Sequence, residues 1–214
     1  MLPCLDIDPA IKLMKSSPQP LTPLERDLQG VASDKPTPIS AFALASKLFA
    51  KGRRVDMVQL AEGLSVSRAT LYRWVGSREA LLTEVVWAGA REMMDKAEAQ
   101  SPCEGGEYLA EVISDFVCQV VRQPAMNAFL EREGEAAMRL LTLADGGFQL
   151  RVVGWAKELI EAQVGAGKFT LTLPSEELAF AVVRLGESYI YRRFITGKRP
   201  DTDSVLSLMK LLLR

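Results

Sequence analysis

Apolar residues recur every three or four positions along most of the chain, which is the spacing of a helix with one buried face. Leu178, Val182, Leu185 and Tyr189 follow this spacing without interruption. The short run from Lys168 to Leu173 has an extended pattern instead, and we interpret it as a link that need not join a sheet. The pattern predicts an all-α protein.

Residues that favour helix ends divide this pattern into a series of predicted helices. Ser, Thr and Asp accept hydrogen bonds from the first N–H groups of a helix, and Gly commonly closes its last turn. The first helix begins at Thr37 or Ser40 and the last at Asp201 or Asp203. The predicted spans are 37–52, 56–63, 67–75, 77–100, 107–122, 124–133, 135–144, 148–164, 174–196 and 203–213.

Two short helices in the segment 55–82 lie close together in the sequence. Asp56 can cap the first, which ends near Gly63, and Ser67 can cap the second. The turn between them is only a few residues long and includes Ser65. Two short helices joined by such a turn form a helix-turn-helix.

The second of these helices has polar and basic residues on its outer face. Leu71 and Val75, one turn apart, can face the core. Arginine can read guanine, and Thr and Tyr hydroxyls can reach phosphates. An ordinary surface helix with two arginines is the alternative. The candidate DNA contacts are Ser67, Arg68, Ala69, Thr70, Tyr72, Arg73, Trp74 and, in the next helix, Arg78.

Residues 65–81, SVSRATLYRWVGSREAL, resemble the recognition segment of TetR-family transcriptional regulators. The resemblance covers residues 41–82, and it implies a dimeric DNA-binding protein that responds to a ligand. Ser65 stands where the family usually has Gly, so it is expected in a strained left-handed conformation. The matching residues are Ala45, Leu48, Phe49, Lys51, Gly52, Thr70, Leu71, Tyr72, Gly76, Ser77, Arg78, Glu79 and Leu81.

Charge is unevenly distributed along the chain. The formal net charge is −1, but residues 41–78 hold seven basic and two acidic residues, so this block carries +5 and the remainder −6. A basic head on an acidic body favours local contact with phosphates. Residues 1–36 are rich in proline and have mixed charge, and we interpret them as a flexible arm.

Several classes of site and location are disfavoured by composition. The chain has no histidine, which excludes Ser-His-Asp catalysis and most zinc sites. Cys4, Cys103 and Cys118 lack metal-ligand spacing, so no catalytic residue, metal or cofactor is predicted, and a redox-sensor cysteine stays an alternative. An odd cysteine number without a signal peptide or membrane-spanning run indicates a cytoplasmic protein.

The domain boundaries follow from these features: an arm at 1–36, a helix-turn-helix domain at 37–82 and a sensing and dimerisation domain at 83–214. By the resemblance, the third domain encloses a cavity for a small, mainly apolar effector. Tyr108, Asn127, Arg132, Arg151 and Glu187 could supply its polar anchors. The candidate lining residues are Trp87, Phe116, Phe129, Met138, Phe148, Val152, Trp155 and Tyr189.

The last two predicted helices are amphipathic, and the resemblance implies that they form a homodimer interface. Packing within one protomer is the alternative. The candidate interface residues are Leu178, Val182, Leu185, Gly186, Val205, Leu208, Met209 and Leu212.

The sequence therefore predicts a dimeric repressor that binds a pseudo-palindromic double-stranded operator and is released by an effector. An effector-independent activator and an all-helical carrier or enzyme stay open.

Overall fold

The computed structural model describes residues 35–143, 147–198 and 201–214. The predicted N-terminal arm therefore lies almost entirely outside the described residues. Within the described ranges every regular element is a helix, which confirms the all-α prediction. The helices are α1 Pro38–Ala50, α2 Met57–Gly63, α3 Arg68–Val75, α4 Arg78–Gln100, α5 Gly105–Arg122, α6 Pro124–Thr142, α7 Phe148–Gly165, α8 Ser175–Ile190, α9 Arg192–Thr196 and α10 Asp203–Leu212.

The first four helices begin at the caps that the sequence predicts. Thr37 and Ser40 form a reciprocal capping box at α1, and the Asp56 carboxylate accepts from Val58 N and Gln59 N at α2. Ser67 and Ser77 accept from the backbone three residues further on, at the start of α3 and α4. These side chains satisfy N–H groups that have no partner within the helix, which fixes where each helix starts.

One predicted break is present and another is missing from the prediction. The two helical segments predicted on either side of Gly134 both lie within α6, which is interrupted by non-helical backbone at the adjacent Glu133 (φ −128°, ψ 34°). The single helix predicted from Pro174 to Thr196 is two helices, α8 and α9, separated at Tyr191 (φ −91°, ψ 2°). Tyr191 has no backbone preference that would place a break there.

Residues 36–214 form one compact unit, in which we distinguish a head, α1–α3, from a body, α4–α10. Helix α5 is central in the body, since it packs against α4, α6, α7, α8 and α10. Helix α1 packs against α2 and α3 within the head and against α4 and α6 of the body. It therefore connects the two parts. No helix in the described ranges is long and apolar enough to cross a membrane.

Candidate nucleic-acid interface and internal cavity

The turn between α2 and α3 is held by backbone hydrogen bonds. Leu64 N donates to Leu60 O, Ser65 N to Glu62 O and Val66 N to Ala61 O, each at 3.0 Å. Ser65 has a φ of 53°, the left-handed conformation expected from its place in the sequence. These hydrogen bonds hold Ser65 in its strained left-handed conformation and fix the angle between α2 and α3.

Helix α3 has one buried side and one exposed side. Leu71 is fully buried, and Trp74 and Val75 are half-buried against the core. The prediction of a DNA contact for Trp74 does not fit this packing, because the indole is partly covered by the head itself. The side chains left exposed on α3 are Arg68, Ala69, Tyr72 and Arg73.

Ser67 and Thr70 lie at the start of α3 and bond to each other. Ser67 Oγ accepts from Thr70 N at 3.1 Å, and the two hydroxyl oxygens are 2.9 Å apart. Their first role is therefore to cap α3 and fix its entry. The N-terminus of a helix also favours negative charge, so a phosphate close to this turn is electrostatically favoured.

Arg78 does not fit its predicted role as a phosphate contact. Its Nε donates to Val55 O at 2.6 Å and its Nη2 to Glu133 Oε2 at 2.7 Å. The side chain is 17% exposed and that of Glu133 is 10% exposed. Both donor groups are therefore used within the protomer, and Arg78 is a positioning residue that joins the head to α6.

Other contacts reinforce this junction. Arg54 lies 3.9 Å from the Glu133 carboxylate, and Arg132 Nη2 donates to Gly52 O. The rings of Phe49 and Phe129 meet edge-to-face at 5.6 Å. Helix α6 therefore holds the head at several points around its break.

The remaining basic side chains of the head are available to an external partner. None of them forms an ion pair with another of the described residues. All are exposed, and together they give the head a positive surface. These residues are Lys47, Lys51, Arg53, Arg68 and Arg73.

A cavity of about 400 Å³ lies between the head and the body. Its lining is mainly apolar and includes residues from α1 and from the body helices α4–α8. Phe116, Phe148 and Val152 line it as the sequence predicts. The other lining residues are Phe42, Ser46, Phe49, Ala50, Val85, Val86, Ala88, Gly89, Ala90, Glu92, Met93, Val120, Gln123, Ala125, Met126, Leu141, Glu187, Ile190 and Tyr191.

One buried carboxylate lines this cavity. Glu187 is 7% exposed and accepts from Arg184 Nη1 at 2.6 Å. With the nitrogen of the Gln149 amide facing it, Gln149 also donates to Glu187 Oε1 at 2.7 Å. Burial raises the pKa of Glu187 to about 7, and the opposing effect of Arg184 is smaller. Glu187 is the predicted polar anchor that the structure places at the cavity.

Five predicted lining residues lie elsewhere. Trp87 packs between Phe148 and the Arg151 guanidinium. Trp155 donates to Glu98 Oε1 at 2.8 Å, and Phe129 packs on Phe49. Met138 and Tyr189 are half-buried against other parts of the core. The prediction therefore identified large core residues, of which only some face the empty volume.

The other predicted polar anchors have structural partners or lie away from the cavity. Asn127 Nδ2 donates to Val121 O at 3.0 Å, and Arg151 binds the Glu84 carboxylate with two hydrogen bonds. Arg132 binds the head, and Tyr108 is half-buried in the body. No signal in the sequence marks the α1 side of the cavity, because amphipathic spacing is the same for all buried residues.

The predicted dimer-interface residues mostly face the interior of the protomer. Leu178, Val182, Val205 and Met209 are at most 2% exposed. A Cβ at Gly186 would lie 2.9 Å from Val117 of α5, so this glycine permits close packing within the protomer. Leu185, Leu208 and Leu212 are half-buried. Most of the predicted interface side chains are therefore already used in packing within the protomer.

One cluster combines a cysteine with two carboxylates. The ligand atoms of Cys103, Glu107 and Glu111 lie within 4.8 Å of one another, although the sequence showed no such group. Lys210 binds Glu107, and Ser101 donates to Glu111. Desolvation, and then Glu111, raise the pKa of the Cys103 thiol, which disfavours the reactive thiolate. We assign no function to this cluster.

Comparison with known proteins identifies the family. Residues 104–214, just over half of the chain, match the family described as tetracyclin repressor-like, C-terminal domain. The chain belongs to the TetR family. This confirms the resemblance seen in the helix-turn-helix segment, which lies outside the matched residues, so the two parts of the chain point independently to the same family of DNA-binding transcriptional regulators.

Solved structures of TetR-family proteins are also similar to the chain. The transcriptional repressor QsdR from R. erythropolis is 30% identical, with a TM-score of 0.75, and the similarity covers 82% of this chain and 93% of that protein. The regulator PfmR from Thermus thermophilus is 19% identical over 81% of this chain and 97% of its own, with a TM-score of 0.39. No curated protein matches the chain.

Proposed function

We propose that this TetR-family regulator is a homodimeric repressor that binds a pseudo-palindromic operator and is released by a small, mainly apolar effector. The observation that carries the proposal is the position of α1, which packs against α3 and also lines the cavity. A molecule in the cavity would thus contact the helix that supports the recognition helix. Repression, rather than activation, is favoured by the similarity to QsdR, a transcriptional repressor.

The exposed side of α3 has the chemistry that operator recognition needs. Arg68 and Arg73 are exposed and have no ion pair within the described residues, so their guanidinium groups can meet bases or phosphates. Tyr72 is 46% exposed and has a hydroxyl for a phosphate oxygen. A recognition helix of this kind enters the major groove while the preceding helix crosses the backbone.

Release of DNA by an effector is expected because α1 of the head and α4 of the body both line the cavity. Helix α4 begins directly after the head, lines the cavity and packs against α1. A ligand that fits the cavity better in one arrangement of α1 and α4 shifts the population toward that arrangement. In a dimer, tilting each head changes the spacing of the two recognition helices, which must match half-sites about one DNA turn apart.

A homodimer is best accommodated on the outer faces of α7 and α8. These two helices pack closely together, and each has a large exposed apolar side chain: Leu150 is 64% and Phe180 is 52% exposed. Helix α10 packs its apolar residues against α5 of the same protomer. We therefore propose α7 and α8 as the interface, which keeps the predicted helix at 174–196 and replaces the last predicted helix with α7.

The proposal is tested by a gel-shift assay with DNA from upstream of the protein's own gene and of its neighbours, at two salt concentrations. We expect a discrete band that resists competitor DNA and that a mainly apolar small molecule abolishes. Binding that shows no preferred fragment and disappears at moderate salt would reduce the interaction to phosphate attraction and overturn the proposal. A specific complex that no compound from a broad apolar library affects would contradict the effector part alone.

A further inference from the structure

The lining of the cavity carries charge of one sign. Among the described residues that form it there are two acids, Glu92 and Glu187, and neither a lysine nor an arginine. The Glu92 side chain is 69% exposed and is bonded to Lys96, so its charge is compensated at the surface. Glu187 is therefore the acid that places a buried charge at this cavity.

The Glu187 carboxylate lies at the cavity wall. The Gln149 amide that donates to it also donates to Leu141 O at 2.9 Å, and Leu141 and Phe148 line the same cavity. Arg184 and Gln149 each donate one hydrogen bond, whereas a carboxylate has about four acceptor positions. Glu187 therefore has acceptor positions left for a further donor.

The cation that is paired with Glu187 is largely exposed to solvent. Arg184 is not part of the lining, and its side chain is 45% exposed, against 9% for that of Glu187. Water screens a guanidinium that is exposed to this extent. Burial accordingly raises the pKa of Glu187 by more than Arg184 lowers it. A second cation inside the cavity would stabilise the carboxylate on the side that water does not reach.

Aromatic side chains form much of the remaining wall. The face of an aromatic ring attracts a cation, and the attraction is stronger when the cation is out of water. An anion would instead leave water for a position next to a carboxylate, with no lysine or arginine in the described lining to meet it. Rings and an acid therefore favour an organic cation. The aromatic lining residues are Phe42, Phe49, Phe116, Phe148 and Tyr191.

We propose that the cavity selects an amphiphilic ammonium ion, a mainly apolar molecule with one protonated amine, whose N–H groups donate to Glu187. The proposal rests on the proposed function and narrows its effector to an organic cation. Glu187 is the residue that determines this specificity, whereas the apolar lining contributes affinity for the rest of the molecule.

Calorimetric titration of the full chain with three probes of similar length tests the charge preference. 4-Phenylbutylamine is an ammonium ion at neutral pH, 4-phenylbutanol is uncharged and 4-phenylbutanoate is an anion. We expect the ammonium ion to bind about ten- to a hundredfold more tightly than the alcohol, which is the usual effect of a hydrogen bond between charged groups. The anion should bind most weakly.

Glu187→Gln separates the charge of this side chain from its shape. The amide has nearly the same shape and still accepts from Arg184, but it carries no charge. The variant should lose the preference for the ammonium ion and bind the alcohol as the wild type does. Glu84→Gln is the matched control, because Glu84 also binds an arginine, Arg151, but is exposed and lies outside the lining. It should leave all three affinities unchanged.

Several results overturn the proposal. These are equal affinity of the wild-type chain for the ammonium ion and the alcohol, tightest binding of the anion, binding of none of the probes, or an unchanged preference in Glu187→Gln. A gel shift on the same preparations separates this failure from failure of the proposed function. Specific operator binding without a Glu187-dependent preference for the ammonium ion contradicts the inference alone, whereas absence of specific operator binding contradicts the proposed function.

Discussion

Arg78 in the first turn of α4 binds Glu133, at the break in α6, with an Nη2–Oε2 distance of 2.7 Å. The same guanidinium also donates to Val55 O, just before α2. This relationship places a basic residue of the helix-turn-helix segment in a structural role. It also separates two kinds of arginine in this segment: Arg78 is bonded within the protomer, whereas Arg68 and Arg73 are exposed and form no ion pair with the described residues.

We expect substitutions of the two kinds of arginine to have different effects on the salt dependence of DNA affinity. Each phosphate contact contributes about one unit to the slope of log K against log salt concentration. We expect Arg68→Ala to reduce that slope by about one. Arg78→Ala should leave the slope unchanged while it lowers thermal stability, because it removes a junction contact rather than a phosphate contact. Affinity measured across a salt series, together with thermal unfolding, checks both.

A double-mutant cycle adds an independent check of the junction. Arg78→Ala and Glu133→Gln should be non-additive, with a coupling energy of about 0.5–3 kcal/mol, as for other contacting pairs. Additive effects, or a reduced salt slope in Arg78→Ala, would restore Arg78 to the DNA contacts.

Arg73 and Tyr72 should affect DNA binding in different ways. Arg73→Ala should weaken binding to the operator and relax its sequence preference, because a guanidinium can discriminate between bases. Tyr72→Phe should weaken binding to all sequences about equally, because a phenolic hydroxyl that meets phosphate carries no sequence information. Affinities for a panel of single-base operator variants distinguish these outcomes.

Arg139 provides the control for these substitutions. It is exposed on α6 in the body and has no ion pair with the described residues, so Arg139→Ala should leave operator affinity unchanged. Unchanged affinity in Arg73→Ala and Tyr72→Phe as well would contradict the assignment of α3 as the recognition helix.

Local sequence features were sufficient to predict where the helices of the head begin and how its turn is formed. The caps at Asp56, Ser67 and Ser77 and the left-handed Ser65 each depend on neighbouring residues, and all are present as predicted. Family resemblance and local chemistry agreed there, so helix boundaries and the exposed side of α3 could be read from the sequence.

Features that depend on distant residues could not be read in this way. The partner of Arg78 lies 55 positions away, and no local pattern marks Glu133 as that partner. Ser46 becomes a cavity residue only because α1 approaches the body. No proline or glycine lies next to Tyr191, so the sequence did not predict the break there. The helical spacing of apolar residues identified the core positions, but it could not distinguish a fully packed side chain from one that faces a cavity.

The proposed interface predicts different effects for two exposed apolar residues. Phe180→Glu, on the outer face of α8, should shift the dimer toward monomer, because it would bury a charge in the interface. Leu211, on α10, is 62% exposed and serves as the matched control. Leu211→Glu should leave the dimer intact. Sedimentation velocity over a range of protein concentrations measures both; dissociation by Leu211→Glu alone would return the interface to the last helix.

Gly89 allows the cavity to be filled selectively. It lines the cavity, and a Cβ there would meet no atom within 4 Å, so Gly89→Leu should place its side chain in the effector volume. We expect this variant to bind the operator and no longer respond to effector. Ala99, exposed further along the same helix and outside the lining, is the control, and Ala99→Leu should respond normally. Gel shifts with increasing effector compare them, and a normal response in Gly89→Leu would place the effector elsewhere.

Glu187 predicts how the stability of the chain depends on pH. Burial raises the pKa of this carboxyl from 4.5 to about 7, so between these values the folded state binds more protons than the unfolded state. The free energy of unfolding should therefore fall as pH rises through this window. One unit of pKa corresponds to about 1.4 kcal/mol, so the full effect is on the order of 3 kcal/mol.

Glu187→Gln should remove this dependence, because the amide stays neutral and still accepts from Arg184. The melting temperature of the variant relative to the wild type should rise between pH 5 and pH 8, by about 2–4 °C for each kcal/mol in a chain of this size. The chain has no histidine, so no imidazole titrates in the same range. Thermal unfolding at several pH values decides the point. Parallel pH profiles for the two proteins would mean that Glu187 is already ionised at pH 5 in the folded state.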